Sequence, residues 1–237
     1  MKFLRKIQPA ALYWFLAALL AAAGARASRH AEPATTLRAL YGLAPPAAIA
    51  AAKTAVLFVD FQREYVAGRL PLPTGRAAIE RARSLVDWAH RSGVLVVLVQ
   101  QVASHRESPV FAANAENTEF VPELAPTPGD LVLQKSLGGA FSRTKLDAEL
   151  RSRGIDTLIV AGLMTHLAVQ ATASDGMVLG YRVIVAADAT ATRALPGVHG
   201  QAGVDAALLE RAALDAMADR VADVMLVREV TTLRVER

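Results

Sequence analysis

Residues 156–181 read DTLIVAGLMTHLAVQATASDGMVLGY, and this stretch decides the fold. Its first part, residues 157–163, is a short apolar run rich in Ile, Leu and Val, which is typical of a fully buried strand. Gly162 stands where that strand should end, Thr165 is expected to cap a helix, and Gly180 is expected to end it. A buried strand that turns directly into a helix presents backbone N–H groups at the carboxyl edge of a sheet, where anions and developing oxyanions are stabilised. We therefore expect this stretch to form the floor of a site.

Other apolar runs are predicted to be strands, with helical segments between them. Strands are expected at residues 54–60, 94–102, 130–135, 182–187 and 223–227, and further helices at about 76–91, 142–153 and 204–218. Strands that alternate with helices predict a mostly parallel, six-stranded sheet covered on both faces, in a doubly wound, Rossmann-like α/β fold. In the common strand order 3-2-1-4-5-6, strands one and four are neighbours, so their carboxyl ends meet.

The first 27 residues have the features of a secretory signal peptide. Basic residues in the first eight positions precede an apolar run at residues 9–23, and Ala-Arg-Ala at 25–27 fits a cleavage site. The apolar run is shorter than the roughly 20 residues that span a bilayer. We therefore expect an exported protein, periplasmic or secreted, with no stable membrane span after cleavage. An N-terminal membrane anchor is the alternative.

The charge balance argues against a polyanionic partner. The chain has 26 Lys and Arg against 22 Asp and Glu, and four of the basic residues lie in the first 27. Residues 28–237 therefore carry 26 − 4 = 22 basic and 22 acidic side chains. This balance predicts no binding to nucleic acid or to an anionic membrane.

The chain after residue 27 divides into an arm and a domain. Residues 28–53 are rich in Ala and Pro and are expected to form a linker or arm that packs loosely. Residues 54–237 are long enough for one domain with a sizeable core. Cysteine is absent, which excludes a disulfide, a thiolate metal site and a cysteine nucleophile.

Charged residues are expected at the same sheet edge as the turn at residues 162–168. Asp60 ends the first strand and Lys135 ends the third. A partly desolvated aspartate can act as a general acid or base, and a buried charge needs a partner, so each residue supports a role for the other. A cap or loop carboxylate and a solvated lysine are the alternatives for either residue alone.

Further residues are candidates for the wall of a binding site. His166 lies beside the turn and either contacts a substrate or is an ordinary helix-start histidine. The long connection at 103–129 contains His105 and Phe111, which either line a pocket or pack within the loop. The histidines lack metal-ligand spacing, and the sequence has no G-x-G-x-x-G, P-loop or G-x-S-x-G motif, so we expect no metal and no cofactor.

Ordered motifs resemble the isochorismatase-like (cysteine) hydrolase superfamily. They are VLFVDFQ at 56–62, VLQKSLGGAFSRTKL at 132–146 and AGLMTHLAVQATA at 161–173, followed by GYRVIVAADATATR at 180–193. The resemblance covers residues 54–237. It implies a hydrolase of small molecules with a parallel six-stranded sheet, assembled as a homo-oligomer.

The resemblance also implies the members of the site. Asp60 and Lys135 would form a triad with a cysteine, whose position is occupied here by Ala168. A cis peptide would join Leu163 to Met164, and the N–H groups of Met164 and Ala168 would bind an oxyanion. With the loop residues included, the expected substrate contacts are Gln62, His105, Phe111, Phe141, Met164, Thr165 and His166.

Ala168 is the departure that matters for mechanism. Alanine cannot attack a carbonyl, so the thioester route of the superfamily's amidases is closed. Asp60 and Lys135 could still hydrolyse a small amide, vinyl ether or related carbonyl or carboxylate compound. In true isochorismatases the aspartate protonates a vinyl ether and no covalent intermediate forms. The alternatives are a catalytically degenerate protein that binds a small molecule or a partner, and an engineered cysteine-to-alanine variant.

Overall fold

The computed structural model describes residues 35–236. The predicted signal peptide at 1–27 lies outside the described residues. Residues 36–236 belong to one compact unit. No helix within residues 35–236 combines the length and the apolar character needed to cross a bilayer.

Helices and strands alternate along most of the described chain. In order, they are α1 (Leu37–Leu40), β1 (Ala48–Ala50), β2 (Thr54–Val59), α2 (Gly75–Ser92), β3 (Leu95–Gln101), β4 (Leu131–Lys135), α3 (Leu146–Ser152), β5 (Thr157–Leu163), a π-helical turn (Thr165–Val169), α4 (Gln170–Val178), β6 (Arg182–Ala191), α5 (Ala206–Arg220), β7 (Asp223–Met225), α6 (Val227–Thr231) and β8 (Arg234–Glu236).

The main sheet has six parallel strands in the order β4-β3-β2-β5-β6-β7. Counted within this sheet alone, the order is 3-2-1-4-5-6, so the predicted topology and fold class are confirmed. Every residue of β2 and of β5 is buried. Val56 and Phe58 pack into the core on the α2 face, and Leu57 and Val59 pack into the core that includes α3 and α4. The uninterrupted apolar runs are explained by this burial on both faces.

The carboxyl ends of β2 and β5 meet at the centre of the sheet. Val59 pairs with Gly162. The next residue of one strand is Asp60, and the other strand runs into the turn that carries Ala168. The expected switch point of a doubly wound sheet thus lies at these two segments.

Gly162 is required by the close approach of β5 to β2. A Cβ atom at this position would lie 2.6 Å from the Val59 carbonyl oxygen and 2.9 Å from the Val59 Cβ. We therefore expect Gly162→Ala to lower the free energy of unfolding in urea by about 1–3 kcal/mol, as other overpacked cores do. Gly138→Ala is the matched control, because its Cβ would meet only Leu167, at 3.9 Å. An equal loss in both variants would contradict the steric explanation.

The N-terminal arm is attached more firmly than its composition predicted. β1 pairs in parallel with β8 near the C-terminus. Arg38 forms an ion pair with the buried Asp223, and the Leu37 N–H donates to Asp219 at 2.9 Å. No local sequence pattern predicts these contacts of residues 36–53, because Leu37 and Arg38 lie 182 and 185 residues from their partners along the chain.

Some element ends also differ from prediction. β6 continues to Ala191 instead of residue 187, since a shift in its pairing with β5 between Val160 and Gly162 moves the contact onward to Thr190. α3 begins at Leu146 instead of residue 142. The last sheet strand stops at Met225 and is followed by α6.

Candidate functional site

Asp60 and Lys135 meet at the carboxyl edge of the sheet. Asp60 follows β2 with φ of 59°, a left-handed conformation that aspartate adopts more readily than most residues with a side chain. Lys135 is the last residue of β4, and its Nζ donates to Asp60 Oδ2 at 2.7 Å. The Lys135 side chain is 1% exposed and the Asp60 side chain is 2% exposed. Each charge thus offsets part of the other's cost of desolvation.

The three N–H donors of the Lys135 ammonium group have protein acceptors. Besides Asp60, Nζ donates to Gln101 Oε1 at 2.7 Å and to the Leu137 carbonyl at 3.1 Å. The ammonium group therefore has no donor left for a substrate, and its role is to hold and polarise Asp60.

Asp60 keeps one oxygen without a partner. Its Oδ1 is buried and forms no hydrogen bond within residues 35–236. Burial raises the pKa of Asp60 to about 6, and the charge and hydrogen bond of Lys135 limit that rise. A carboxyl group with this pKa is present in both protonation states near neutral pH, so it can donate or accept a proton.

A cavity of about 370 Å³ opens onto this pair. Its size suits a small molecule, and most of its wall is apolar. The wall consists of Asp60, Tyr65, Leu70, Gln101, Phe111, Lys135, Ser136, Leu137, Gly138, Met164, Leu167 and Ala168.

The turn after β5 supplies one side of the cavity. The Leu163–Met164 peptide is cis, as the resemblance implied. The Met164 carbonyl accepts hydrogen bonds from the N–H groups of Leu167, at 3.1 Å, and Val169, at 3.3 Å. It accepts none from the Ala168 N–H between them. Ala168 lies on the wall, so at the position implied for a nucleophile the cavity meets only a methyl group and backbone.

Comparisons with known proteins identify the family and agree with the fold. The family model of the isochorismatase domain matches residues 54–229. The chain belongs to the isochorismatase family. A secreted isochorismatase effector, Isc1, of Verticillium dahliae is 30% identical over 78% of this chain and 93% of its own length. Maleamate amidohydrolase of Pseudomonas putida is 33% identical over 60% of this chain and 73% of its own. The crystal structure of an isochorismatase from Pseudomonas putida superposes with a TM-score of 0.75 and 30% identity, covering 83% of this chain and 99% of that one.

Gln62 lies behind the cavity wall of this isochorismatase-family chain. The sequence predicted a substrate contact, but the residue is 0% exposed. Its Nε2 donates to the carbonyls of Gln101, at 2.8 Å, and Thr118, at 2.6 Å, while its Oε1 accepts from the Gln101 N–H at 2.9 Å. Because its amide is fully used by backbone groups, Gln62 ties β3 to the covering loop.

His105 and Phe141 are also placed away from the wall. His105 is exposed on the covering loop. Phe141 stacks on Tyr181, with ring centroids 5.9 Å apart, and packs against the core on the α3 face. Of the two loop residues proposed for the wall, only Phe111 lies on it, where its ring is 5.4 Å from that of Tyr65.

Thr165 and His166 do not line the cavity, and their side chains are hydrogen-bonded to other protein groups. Thr165 does not cap a helix with its side chain; its hydroxyl lies 2.8 Å from both carboxyl oxygens of Glu210. His166 Nδ1 is hydrogen-bonded to Thr192, and burial together with the charge of Arg193 lowers the pKa of His166. A histidine with a lowered pKa is neutral at pH 7, so His166 brings no positive charge to the site.

Tyr65 and Gln101 are site residues that the sequence analysis missed. Burial and the charges of Asp60 and Glu64 raise the pKa of Tyr65 well above its usual range, so it remains a phenol. Gln101 ends β3 between the strands that carry Asp60 and Lys135. The rule that the carboxyl ends of parallel strands share one edge would have identified Gln101. Tyr65 had no comparable signal.

Arg193 brings positive charge to the same region. It follows β6, and its charge lowers the pKa values of both Tyr65 and His166. Its Nε is buried and forms no hydrogen bond within the described residues. Within residues 35–236, no group of three or more His, Cys, Asp or Glu side chains is arranged to hold a metal ion.

Proposed function

We propose that this family member hydrolyses a small enol ether that carries a carboxylate, with Asp60 as the general acid and water as the nucleophile. The observation that carries the proposal is the buried Asp60, which lines the cavity, has an Oδ1 with no hydrogen-bond partner within residues 35–236, and has a pKa that burial raises to about 6. An acid of this strength suits protonation of a weakly basic carbon near neutral pH. The chain has no cysteine, so a covalent mechanism with a cysteine nucleophile is closed to it.

The reaction consumes one water molecule, and the proton that Asp60 donates is returned to it. Asp60 gives its proton to the terminal carbon of the enol ether, which forms an oxocarbenium ion. Water adds to the cationic carbon and returns a proton to the Asp60 carboxylate. The hemiketal then breaks its C–O bond and releases an alcohol and a 2-oxo acid. Lys135 favours the carboxylate that forms after the first step, since it donates to Oδ2 at 2.7 Å.

Water is the preferred nucleophile because no histidine lines the cavity to activate a side chain for attack. Ser136 contributes a hydroxyl group to the wall. The histidines of the covering loop and of the turn are elsewhere, since His105 is exposed and His166 is hydrogen-bonded to Thr192. A serine without a neighbouring base is a weak nucleophile.

Positive charge and backbone dipoles support recognition of a carboxylate. Within residues 35–236, Arg193 Nε is buried and has no hydrogen-bond partner, and Ala168, whose N–H does not donate to the Met164 carbonyl, lines the cavity. Apolar residues of the wall such as Phe111 and Met164 lower the local dielectric constant, which would strengthen the interaction of the turn with an anion.

The pH dependence of the rate tests the role of Asp60. Because the acid form is the active one, kcat/KM should be constant well below pH 6 and fall by about tenfold per pH unit above it. The probe is 2-methoxyacrylate, followed by release of pyruvate, and its methyl ester is the control that lacks the anion. A rate that rises through pH 6 would show Asp60 acting as a base and would contradict the proposal, and equal rates on acid and ester would contradict carboxylate recognition.

A small amide is the second candidate substrate. It is favoured by the similarity to maleamate amidohydrolase. In this case the Asp60 carboxylate would deprotonate water for attack on the carbonyl carbon, and the Ala168 N–H would bind the oxyanion. The same pH experiment separates the candidates, since an amide reaction of this kind gains rate as Asp60 loses its proton.

A binding protein without turnover is the alternative to both reactions. The cavity and its charged pair would then serve only to retain a ligand. A probe that raises the melting temperature of the protein without being converted would support this alternative, because a ligand that binds the folded state stabilises it.

We further propose that the protein is exported and forms a homo-oligomer. The leader-like composition of residues 1–27 and the similarity to a secreted effector support export. Retention of residues 1–27 on the protein inside producing cells would contradict export, and a monomeric mass in light scattering would contradict assembly.

A further inference from the structure

Glu210 connects the turn of the site to the neighbouring strand. It lies on α5 and is 45 residues from Thr165 and 20 from Thr190. The Thr165 hydroxyl lies 2.8 Å from both of its carboxyl oxygens, and the Thr190 hydroxyl lies 2.7 Å from Oε1. These contacts join α5, the π-helical turn and the end of β6 at one carboxyl group.

A count of hydrogens shows which form of the carboxyl group these contacts require. The Thr190 Oγ1 is also 2.7 Å from the Ala187 carbonyl oxygen, which can only accept. A hydroxyl group has one proton, so Thr190 cannot donate both to this carbonyl and to Glu210. Both short contacts are hydrogen bonds only when Oε1 carries a proton and donates it to Thr190.

We propose that Glu210 works as a neutral acid, a positioning residue that holds the turn of the site in place through a directed chain of hydrogen bonds. In this chain Thr165 donates to Oε2, the Oε1–H donates to Thr190, and Thr190 donates to the Ala187 carbonyl. Each polar group is then satisfied with one proton per bond. The chain begins at the first residue of the turn that carries Ala168 and ends within β6.

The surroundings of Glu210 favour the neutral form. Burial raises the pKa of Glu210, and its contacts with the Thr190 and Thr165 hydroxyl groups oppose that rise only in part. The charged side chains that line the cavity beside it are those of Arg211 and Asp215, on its own helix, and the facing segment contributes Pro73 and Thr74. No charged side chain from the facing segment therefore compensates an ionised Glu210 there.

The protonation state matters because of what the turn does in the proposed function, on which this part of the inference rests. The turn is proposed to bind an anion through backbone N–H groups. A carboxylate behind it would oppose that binding through space, whereas a neutral acid keeps the turn fixed without adding charge. The hydrogen-bond chain itself does not depend on the substrate.

Unfolding experiments test the neutral acid without any substrate. A carboxyl group whose pKa is raised on folding binds more protons when folded, so its contribution to stability falls as pH increases from its ordinary value of 4.5 upward. Glu210→Gln imitates the neutral acid, since its NH2 group can donate to Thr190 and its oxygen can accept from Thr165. Wild type should therefore lose urea-unfolding stability relative to Glu210→Gln as pH rises from 4.5 to 8.

Two controls accompany this comparison. Thr190→Val removes the acceptor of the Glu210 proton. In this background, the difference in free energy of unfolding between Glu and Gln at residue 210 should depend less on pH. Infrared difference spectra of wild type minus Glu210→Gln at neutral pH should show a protonated carboxyl band. The neutral-acid assignment is overturned if wild type does not lose unfolding free energy relative to Glu210→Gln as pH rises, or if it gains.

Activity measurements separate this inference from the proposed function. Near pH 6, Glu210→Ala should lose roughly 10- to 100-fold in kcat/KM on 2-methoxyacrylate because the turn is misplaced. Glu210→Gln should retain activity within about threefold, which a requirement for a carboxylate would not allow. If no probe is converted but the pH-dependent stability difference is present, the proposed function fails and the neutral acid stands. If the probe is converted and the difference is absent, the reverse holds.

Discussion

Asp60→Asn should lose about 10²- to 10⁴-fold in kcat/KM on 2-methoxyacrylate, because the general acid is removed. The same substitution should lower the free energy of unfolding at pH 6 by only about 1 kcal/mol, because about half of Asp60 is already neutral there and Asn keeps an oxygen that can accept from Lys135. The stability loss arises from Lys135, whose ammonium group is 1% exposed and would lose its only carboxylate partner within the described residues. Initial rates and urea unfolding at pH 6 measure the two effects.

A double variant separates catalysis from stability. In Asp60→Asn with Lys135→Met, neither buried charge remains, and replacing a buried ion pair by uncharged groups of similar size is often nearly neutral for stability. The double variant should therefore regain most of the lost stability and stay inactive. If its activity also returned, Asp60 would not be the general acid and the proposed mechanism would be wrong.

Ala168→Cys should create amide hydrolysis, with a gain of at least about 10²-fold in kcat/KM on a small amide such as maleamate. The reason is geometric, since Ala168 lies on the same cavity wall as Asp60 and Lys135. The Asp60 carboxylate can accept the thiol proton through its unpartnered oxygen, and the thiolate can attack the carbonyl carbon. The measurement is ammonia release, with detection of the acyl-enzyme by mass spectrometry.

Ala168→Ser is the matched control for this gain. Its side chain has nearly the same size, but a hydroxyl group is a far weaker nucleophile than a thiol unless a strong base activates it. Hydrolysis of 2-methoxyacrylate should not increase in either variant, since water is the nucleophile in that reaction. If Ala168→Cys forms no acyl-enzyme and gains no activity, the cavity does not present a carbonyl group to residue 168.

The sequence predicted the scaffold of the site well, for a physical reason. Runs that are apolar at every position, as at residues 54–59 and 157–163, are stable only in the middle of a sheet covered on both faces. With right-handed crossovers, such runs leave few possible topologies, and the predicted strand order is the one found. The prediction that Asp60 and Lys135 lie at one edge followed from this order.

Side-chain partners were predicted less well. Gln62 and Thr165 belong to motifs of the resemblance, yet each uses its polar groups on protein partners, the first on Gln101 and Thr118 and the second on Glu210. A motif shows that a residue type stands near a site. It does not show whether the side chain faces the cavity or the structure behind it, because that depends on rotamers chosen by packing.

The sequence by itself determined the parallel sheet, the place of the turn and the absence of a sulfur nucleophile, because burial pattern, chain order and composition are local properties of the chain. Only the tertiary structure decided that Lys135 donates a hydrogen bond to Gln101, that Tyr65 lines the cavity, and that the arm is held by the C-terminal part. It also decided the protonation of Asp60, since a pKa depends on how deeply a carboxyl group is buried and on which charges come near it once distant segments pack together.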